Sequence, residues 1–312
     1  MNKDASIFVA GHNGMLGSAI IRALQSDGFD RIITASRNEL DLCDINQVKT
    51  FIKKNKPEYV ILAAAKVGGI NANIRYPVEF LQDNLLIQIN LISQSFIHGV
   101  KKFIFIGSSC IYPKDSLQPM KEEYLLDGKL EPTNEGYSLA KITGLKLLEY
   151  YKRQYGFENI CLMPCNLYGP NDSFDLEHSH VLSALVRRFS EAQKTGIDEL
   201  TLWGSGIARR EFMHVDDAAK SIVYFMKNYF DEEFVNVGWG KDISIKELAG
   251  MIAQEVGFKG AIKWDITKPD GMLRKCMDVS KMHVAGFYPT ISINEGVQQM
   301  IKIYQEKFNN NI

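Results

Sequence analysis

The feature that most constrains the fold is an alternation of short apolar segments with longer segments of helical periodicity along the first half of the chain. The short segments are rich in β-branched residues and predict strands at residues 6–10, 31–35, 59–63, 102–106 and 160–163. The longer segments carry apolar residues three and four apart and predict helices at residues 15–26, 45–55, 78–98 and 138–154. This repeated succession predicts an α/β fold with a doubly wound parallel sheet, whose ligands bind at the carboxyl ends of the strands.

The alternation breaks after Gly169 and Pro170, which indicates a second structural unit. Polar and glycine-containing connections surround one helical segment there, residues 181–194, before a helix and a strand are again predicted at residues 216–226 and 234–237. We therefore predict a smaller, mainly C-terminal lobe beside the sheet. The sheet domain covers residues 1–168, with 212–238 returning to it, and the lobe covers residues 169–211 and 239–312.

The balance of charge argues against a nucleic acid or an anionic membrane as a partner. The 312 residues include 36 Lys plus Arg and 37 Asp plus Glu, so the net charge is -1 and produces no strong field. The longest apolar run, residues 59–65, is far shorter than the roughly 20 residues that span a bilayer. The apolar stretch before Gly11 is too short for a signal peptide, so we predict no membrane association and no export.

The cysteines form an odd set without a Cys-x-x-Cys pair. They are Cys43, Cys110, Cys161, Cys165 and Cys276. This pattern indicates neither a disulfide framework nor a structural zinc site, and we predict no bound metal. Because free thiols persist in a reducing compartment, we expect a cytoplasmic protein.

A glycine-rich turn joins the first predicted strand to the first predicted helix. It runs Gly11-His12-Asn13-Gly14-Met15-Leu16-Gly17 and spaces its glycines three apart. Glycines at this spacing allow a tight turn, a close approach of the backbone to a pyrophosphate and close packing of helix on sheet. The phosphates would lie at the positive end of the helix. The pattern alone is weak, but its position between a strand and a helix predicts a dinucleotide site.

The end of the second strand indicates which dinucleotide binds. An acid at this position accepts hydrogen bonds from the adenosine ribose, whereas a cation accommodates a 2'-phosphate. The sequence there reads Ala35-Ser36-Arg37, with no acid on the strand end. We therefore predict NADP(H) rather than NAD(H), with a solvated surface arginine as the alternative interpretation of Arg37.

Three polar side chains are predicted to meet at the same edge of the sheet. Tyr137 and Lys141 stand four apart on one helical face, and an ammonium beside a phenol favours the phenolate. Ser108 directly follows the fourth strand, and Cys110 follows two residues later, where an extended backbone would point both side chains the same way. A Tyr-x-x-x-Lys pair is common by chance, so it is the position of Ser108 that makes the pair evidence for a site. The set predicts an acid-base site.

These residues, with the late segment 210–217, resemble the extended short-chain dehydrogenase/reductases that act on nucleotide sugars. Five further segments are similar to the GDP-L-fucose synthase subgroup of that family. They are residues 63–70, 107–113, 131–135, 166–170 and 203–206. The resemblance runs from about residue 6 to Pro289 and implies a Rossmann-like sheet that binds the dinucleotide, with the lobe binding substrate.

The resemblance also implies an activity. In the family, NADPH reduces the 4-keto group of a GDP-linked 6-deoxy sugar, and the residue at Tyr137 protonates the oxyanion. Lys141 would hold the nicotinamide ribose and lower the tyrosine pKa, while Ser108 would bind the substrate oxygen. Before reduction, Cys110 and His180 would serve as the base and acid that invert carbons 3 and 5. The family also implies a homodimer formed through helices that flank the sheet.

The matching positions imply contacts to coenzyme and substrate. Those implied for NADP(H) are Gly11, Asn13, Gly14, Met15, Leu16, Gly17, Arg37, Ala63, Ala64, Tyr137, Lys141, Pro164, Asn166, Leu167 and His180. Those implied for the GDP-sugar are Arg188, Trp203, Arg210 and Asp270, with Arg187 as a competitor of Arg188. Arginine suits a pyrophosphate because it donates two parallel hydrogen bonds.

Four departures from the subgroup leave the sugar open. Asn13 stands where an arginine is frequent, Gly136 where a proline is frequent, Cys165 where a threonine is common and Ser173 where an asparagine is common. A GDP-4-keto-heptose reductase that follows a separate epimerase is therefore the main alternative. The lesser alternatives are a nucleotide-sugar 4,6-dehydratase or 4-epimerase, and a non-catalytic dinucleotide-binding protein.

Overall fold

A computed structural model of the chain describes residues 1–175, 179–229, 231, 233–268 and 270–309, except for the side chains of Ile70 and Asn309. The strands are β1 (Ile7–Ala10), β2 (Ile32–Ile33), β3 (Tyr59–Leu62), β4 (Lys102–Ile106), β5 (Asn159–Pro164), β6 (Asn166–Tyr168), β7 (Glu199–Trp203), β8 (Arg209–His214), β9 (Val235–Val237), β10 (Asp242–Ser244), β11 (Ala261–Asp265) and β12 (Arg274–Lys275). The helices are α1 (Met15–Ser26), α2 (Ile45–Asn55), α3 (Ile70–Arg75), α4 (Pro77–Ile97), α5 (Glu135–Tyr155), α6 (Val181–Thr195), α7 (Val215–Asn228), α8 (Ile245–Val256), α9 (Ser280–Val284) and α10 (Ile293–Asn309).

The centre of the fold is a six-stranded parallel sheet in the order β2-β1-β3-β4-β5-β9. Helices α1 and α7 pack together, and α4 packs against both α2 and α5. Right-handed crossovers place these two groups on opposite faces, which confirms the predicted doubly wound sheet. The order reverses direction at β1, so the crevice for a ligand opens beside the first strand.

The predicted elements of the first half are confirmed, with small shifts at their ends. The predicted strand at 31–35 is shorter in the structure, because only Ile32 and Ile33 pair with β1. Both residues are only half-buried at the edge of the sheet, so the strand has one partner and little apolar contact to extend it. The predicted helix at 78–98 begins one residue earlier, at Pro77, where the fixed φ of proline suits the first helical position.

Strand β8 lies at the centre of a second sheet. It pairs with β6 and β12 in parallel and with β10 antiparallel, while β7 and β11 form a separate parallel pair. Helix α6 packs against α8 and α10, and the apolar side chains between these elements form a second core. Helix α7 and β9 return to the central sheet after β8. The chain thus enters the second sheet at β6, directly after β5.

No helix in the described part of the chain has both the length and the apolar character to cross a membrane.

A buried carboxylate fixes the segment before α10 onto α7. Asp217 is 1% exposed and accepts hydrogen bonds from the backbone N–H groups of Thr290 (2.7 Å) and Ile291 (2.6 Å) and from the Thr290 hydroxyl (3.0 Å). Its neighbour Asp216 instead pairs with Arg22 at the surface. Only Asp217 therefore satisfies backbone groups that would otherwise lose their partner.

We expect Asp217→Ala to lower the free energy of unfolding by about 2–3 kcal/mol, because hydrogen bonds to a charged group are lost and their donors are left unpaired. Asp216→Ala is the matched control, since both carboxylates lie in the first turn of α7 and interact with the same helix dipole. The control should lose less than about 1 kcal/mol. Urea unfolding measures both, and equal losses would contradict a special role for Asp217.

Candidate active site

A cavity of about 270 Å³ lies at the carboxyl ends of β1, β2 and β3. The glycine turn after β1, the segment Ala35–Arg37 after β2 and the segment Ala64–Lys66 after β3 form its walls. Larger cavities of about 710 and 530 Å³ lie elsewhere on the surface and are lined by other residues. The smaller cavity is the one that the topology of the sheet marks as a ligand site.

The glycine turn is built so that a side chain would block it. Gly11 has φ +89°, and a Cβ there would lie 2.6 Å from the backbone nitrogen of Ala64. A Cβ on Gly17 would lie 2.0 Å from the carbonyl oxygen of Gly11. Gly14 forms the N-cap of α1, and no side chain caps this helix end. The turn therefore leaves the helix N-terminus open to an anion, as a dinucleotide phosphate requires.

The segment after β2 presents one cation to the cavity. Arg37 is exposed and lines the cavity beside Ser36. The carboxylate of Glu39 accepts hydrogen bonds from the Ser36 backbone N–H and hydroxyl, both at 2.7 Å, and these bonds lower the pKa of that carboxyl. The Glu39 carboxylate is thus already bonded to its own turn. This arrangement fits a 2'-phosphate at Arg37 better than a ribose hydroxyl at a free carboxylate.

Several residues that line the cavity were not predicted. Asp41, Leu42 and Cys43 approach from the segment before α2, and Lys66 forms a salt bridge of 2.8 Å with Asp83 on α4. The rule that ligands bind after strand ends points to Lys66, because it follows β3 closely. Asp83 and its neighbour on α4, Ile87, carry no such sequence signal, since only helix packing brings them to the cavity. His12, for which no role was predicted, also lines the cavity.

The remaining predicted coenzyme positions lie along the same rim. Met15 and Leu16 form the first turn of α1, and Asn13 is exposed in the turn before it. Ala63 and Ala64 directly follow β3. Pro164 is the last residue of β5, and Asn166 and Leu167 begin β6, which leads away into the second sheet.

Tyr137, Lys141 and Ser108 converge as predicted by their spacing. The Lys141 Nζ donates to the carbonyl oxygen of Ile106 at 2.8 Å and lies 5.8 Å from the centre of the Tyr137 ring. The Tyr137 hydroxyl lies close enough to Ser108 for the serine side chain to oppose the rise of the phenol pKa. Ser108 follows β4 at the residue after Gly107, so the carboxyl end of this strand holds the hydroxyl next to the phenol.

Burial sets the protonation of this group. Burial lowers the pKa of Lys141 to about 8 and raises that of Tyr137, with a further rise from the nearby Cys110 thiolate and an opposing effect from Ser108. The Lys141 ammonium donates its hydrogen bond to the Ile106 carbonyl. At neutral pH Tyr137 is therefore a protonated phenol beside a mainly charged ammonium.

Cys110 lies in a cluster that stabilises its thiolate. Its Sγ accepts hydrogen bonds from the Asn134 amide (3.3 Å) and the Lys275 ammonium (3.5 Å). Burial alone would raise the thiol pKa, but Lys275, Ser108 and Asn134 together lower it below the usual value. Lys275 was missed, since β12 and its pairing with β8 bring it here from 165 residues away. A low thiol pKa next to a cation is the mark of a reactive cysteine.

The backbone around Cys110 is not extended, in contrast to the expectation. Residues Ser109–Ile111 form a 3-10 turn, and the Ser108 hydroxyl caps it by accepting the Cys110 backbone N–H at 3.3 Å. The turn leaves the Cys110 backbone N–H without a backbone partner, and the Ser108 hydroxyl accepts it. This hydrogen bond favours the turn over an extended strand. Ser108 and Cys110 nevertheless remain neighbours, because the turn folds the thiol back towards the hydroxyl.

His180 lies at the start of α6, and none of the contacts of the described residues joins it to Cys110 or Tyr137. It forms the N-cap of α6, with an exposed side chain that does not cap its own helix. The chain reaches it from β6, which pairs with β8, whereas Cys110 follows β4 of the central sheet. Cys110 therefore follows a strand of the central sheet, whereas His180 follows a strand of the second sheet.

The predicted substrate residues gather around the end of β7. The Arg188 guanidinium donates to the Thr201 carbonyl at 2.5 Å, and Trp203 is 68% exposed with the Lys268 ammonium 5.6 Å from its ring. Burial lowers the Arg188 pKa. Its competitor Arg187 is paired with Glu191 at 2.8 Å, which leaves Arg188 as the better candidate.

Arg210 and Asp270 complete this group. The Asp270 carboxylate accepts hydrogen bonds from the backbone N–H (2.7 Å) and hydroxyl (2.8 Å) of Ser205, two residues after Trp203. Burial lowers the pKa of Arg210, and the attraction of Asp270 opposes this effect. The two charges therefore lie near each other. Among the described residues, no group of three or more His, Cys, Asp and Glu side chains is arranged to hold a metal ion.

Comparison with known proteins agrees with this arrangement. The model of the NAD dependent epimerase/dehydratase family matches residues 7–238. The chain is 52% identical over 306 residues to the putative GDP-L-fucose synthase 2 of Arabidopsis thaliana, covering 98% of this chain and 93% of that protein. It is 45% identical over 309 residues to the GDP-L-fucose synthase of Escherichia coli, covering 96% of each.

A solved structure is also similar over nearly the whole chain. The GDP-mannoheptose C4 reductase of Campylobacter jejuni with NADP bound superposes with a TM-score of 0.90 at 35% identity, covering 98% of this chain and 99% of that one. The matched region contains the glycine turn, both sheets and the Ser108, Tyr137 and Lys141 group. The chain therefore belongs to the NAD dependent epimerase/dehydratase family, in the group that contains the GDP-L-fucose synthases.

Proposed function

We propose that this protein is an NADPH-dependent reductase of a GDP-4-keto-6-deoxy sugar that also inverts carbons 3 and 5 of the sugar. One observation carries the proposal: the Tyr137 phenol and the Cys110 thiol lie beside Ser108 at the same rim, and the thiol accepts hydrogen bonds from Asn134 and Lys275. Reduction requires a proton donor at the ketone, and inversion requires a base beside it. The names of the relatives, GDP-L-fucose synthase, agree with both activities.

The residues fit NADP(H) as coenzyme. We propose that the turn from Gly11 to Gly17 and the N-terminus of α1 hold the pyrophosphate, and that Arg37 holds the 2'-phosphate. Lys141 would bind the nicotinamide ribose. The other proposed contacts are Ala63, Ala64, Tyr137, Pro164, Asn166, Leu167 and His180. When bound, NADPH supplies the hydride that reduces carbon 4.

Tyr137 would donate its proton to the oxyanion that forms on carbon 4. Ser108 would donate a hydrogen bond to the same oxygen and hold it next to the phenol. Lys141, with a pKa of about 8, is mainly charged at neutral pH and would stabilise the phenolate that remains. The proton moves only when charge develops on the substrate, because burial raises the pKa of the free phenol.

Cys110 would act before the reduction. The ketone acidifies the hydrogens on carbons 3 and 5, so a thiolate held by Lys275 and Asn134 can remove one and form an enolate. His180 would return a proton to the opposite face, and this inverts the carbon. We propose that the two residues reach the sugar from opposite faces, and their origin after strands of different sheets supports this.

The lobe would bind the GDP-sugar. Arg188 and Arg210 suit a pyrophosphate, and the exposed face of Trp203 suits stacking. We retain the division into a dinucleotide-binding domain of residues 1–168 with 212–238 and a substrate lobe of 169–211 with 239–312 as part of the proposal. Similarity to a heptose C4 reductase, together with Ser173 in the loop before α6, keeps a GDP-4-keto-heptose as the second candidate substrate.

We further propose a cytoplasmic homodimer. Helices α4 and α5 pack side by side and expose Val78, Leu86, Ile89 and Leu139. Apolar side chains on adjacent helices are suited to a helical interface with a second copy. All five cysteines are free thiols, which fits a reducing compartment. Sedimentation equilibrium tests the dimer, and Ile89→Glu should convert it to a monomer.

The activity is tested with GDP-4-keto-6-deoxy-mannose and NADPH, followed by the absorbance of the reduced nicotinamide. We expect substrate-dependent oxidation of NADPH and a product whose NMR spectrum shows inversion at carbons 3 and 5. A GDP-4-keto-heptose is assayed in parallel, and oxidation with the heptose alone would favour the second substrate. A dehydratase or 4-epimerase would consume no NADPH, so the absence of oxidation with both sugars rejects the reductase.

The two steps should respond to different substitutions. Cys110→Ser should lower solvent deuterium uptake at carbons 3 and 5 by about 100-fold or more, because it removes the base. Tyr137→Phe should slow hydride transfer by about 100- to 10,000-fold and leave the uptake largely intact. Cys161→Ala, in the core of β5, is the control for loss of a thiol and should retain both steps. If Cys110→Ser takes up deuterium as fast as the wild type, a residue other than Cys110 is the base.

Arg37 should decide the preference for the coenzyme. Arg37→Ala is expected to raise KM for NADPH by about 10- to 100-fold, because a charge-assisted hydrogen bond to the 2'-phosphate is lost. KM for NADH should change less than about threefold, since NADH lacks this phosphate. Arg31→Ala is the matched control, because Arg31 is an exposed arginine at the opposite end of β2. Equal changes for both coenzymes would argue that Arg37 is only a solvated surface residue.

A further inference from the structure

The N-cap residue of α5 has a side chain that does not cap its helix. Asn134 holds this position. Asparagine is among the residues most favoured at an N-cap, because its side-chain oxygen accepts an N–H group of the first turn. The Asn134 side chain makes no such bond. The helix therefore does not use the interaction for which an asparagine is usually found at this position.

Glu131 fixes the chain just before the helix instead. Residues Pro132–Asn134 form a 3-10 turn that leads directly into α5. The Glu131 carboxylate accepts the backbone N–H of Thr133 at 3.3 Å and its hydroxyl at 3.1 Å. The Asn134 backbone N–H donates to the Glu131 carbonyl at 3.2 Å. The backbone at Asn134 is thus held by Glu131, and its side chain is left for another contact.

Both polar ends of the Asn134 side chain are bonded. Its amide nitrogen donates to the Cys110 Sγ at 3.3 Å, and its oxygen accepts the Ser138 hydroxyl at 3.4 Å. Ser138 is fully buried on α5. An amide carries its acceptor and its donors at opposite ends, so the bond to Ser138 turns the N–H group towards the sulfur.

Two donors reach this sulfur from different parts of the fold. Lys275 on β12 brings a charge at 3.5 Å on a flexible four-carbon stem. Asn134 is neutral and short, and it reaches the sulfur from the start of α5. Tyr137 lies on the same helix three residues later. The amide therefore connects the thiol to the helix that carries the phenol.

We propose that Asn134 is the positioning residue for Cys110: its amide holds the sulfur in a fixed place beside the helix that carries Tyr137. The inference rests on the proposed function and deepens it, because it assigns the residue that places the base for inversion. In that step the proton passes from the sugar carbon to the thiolate, and the electron pair of the C–H bond forms the enolate. Asn134 neither gains nor loses a proton.

Two substitutions remove the donor in different ways. Asn134→Asp keeps the size of the side chain and a residue that caps helices well, but a carboxylate has no N–H group to donate. Asn134→Leu keeps a similar size and adds no charge. Ser244→Ala is the matched control, because Ser244 is an N-cap residue that does cap its helix, α8. The control should lower the melting temperature and leave Cys110 unchanged.

The first measurement is the pH dependence of Cys110 alkylation by iodoacetamide, followed by mass spectrometry of the labelled peptide. We expect both Asn134 variants to raise the apparent pKa of this thiol by about one to two units, because a hydrogen bond to its charged form is lost. The Cys43 peptide is the internal reference, since the Cys43 sulfur bonds to the Asp83 carbonyl instead. Its alkylation should follow the wild type in every variant.

The second measurement separates the two proposed steps. Solvent deuterium uptake at carbons 3 and 5 should fall by about 10- to 100-fold at neutral pH in both variants, and partly recover at higher pH as the thiolate forms. The reductive step is run backwards with GDP-L-fucose and NADP+. It needs no base at Cys110, so its rate should change less than about threefold. A merely structural loss would lower both steps at every pH.

The proposal is overturned if Asn134→Leu leaves the Cys110 alkylation profile unchanged, since the effect of Asn134→Asp would then come from its charge alone. Equal losses of uptake and of reverse reduction at every pH would also contradict it. If Asn134→Leu does not fold, Ser138→Ala replaces it, because this variant adds no charge and removes the bond that orients the amide. Failure of the proposed function is distinguishable, because the wild type would then oxidise no NADPH with either keto sugar while Cys110 alkylation still reports on Asn134.

Discussion

The close approach of β1, α1 and β3 at the glycine turn is the constraint on which the rest of the structure depends. Gly11 and Gly17 have no room for a Cβ, because backbone atoms lie 2.6 Å and 2.0 Å from where it would stand. This contact sets the distance between α1 and the sheet and opens the helix N-terminus towards the cavity. Strand β4 lies two positions from β1 in the sheet and ends at the same edge. Ser108 and Lys141 are therefore held at the edge of the sheet where the cavity opens.

Burial changes the pKa values of the ionisable groups at the site. The same desolvation lowers the pKa of Lys141 and raises that of Tyr137, which leaves an ammonium beside a proton donor. At Cys110, the Lys275 ammonium, Ser108 and Asn134 together outweigh burial and lower the thiol pKa. Burial therefore raises the pKa of Tyr137 but not that of Cys110, because only the cysteine has a cation in hydrogen-bond contact.

The second sheet holds Lys275 beside Cys110. Strand β12 pairs with β8, and the buried Glu211 of β8 accepts the backbone N–H groups of Gly240 at 2.6 Å and Met277 at 2.8 Å. Burial raises the pKa of this carboxyl to about 7, and the backbone donors oppose the rise. Glu211 therefore joins β8 to the segment that follows Lys275. The reach of the ammonium to Cys110 depends on this connection between distant parts of the chain.

The sequence by itself determined the alternation of strands and helices, the glycine turn, and the rim that carries Ser108, Tyr137 and Lys141, because periodicity and strand-end positions are local properties. It could not supply Lys275 or Asp83, whose positions depend on strand pairing and helix packing between residues far apart. Spacing shows which groups are near but not how deeply they are buried, and burial raises the pKa of Tyr137. Desolvation is a property of the assembled fold, so only the tertiary structure decided which groups hold protons.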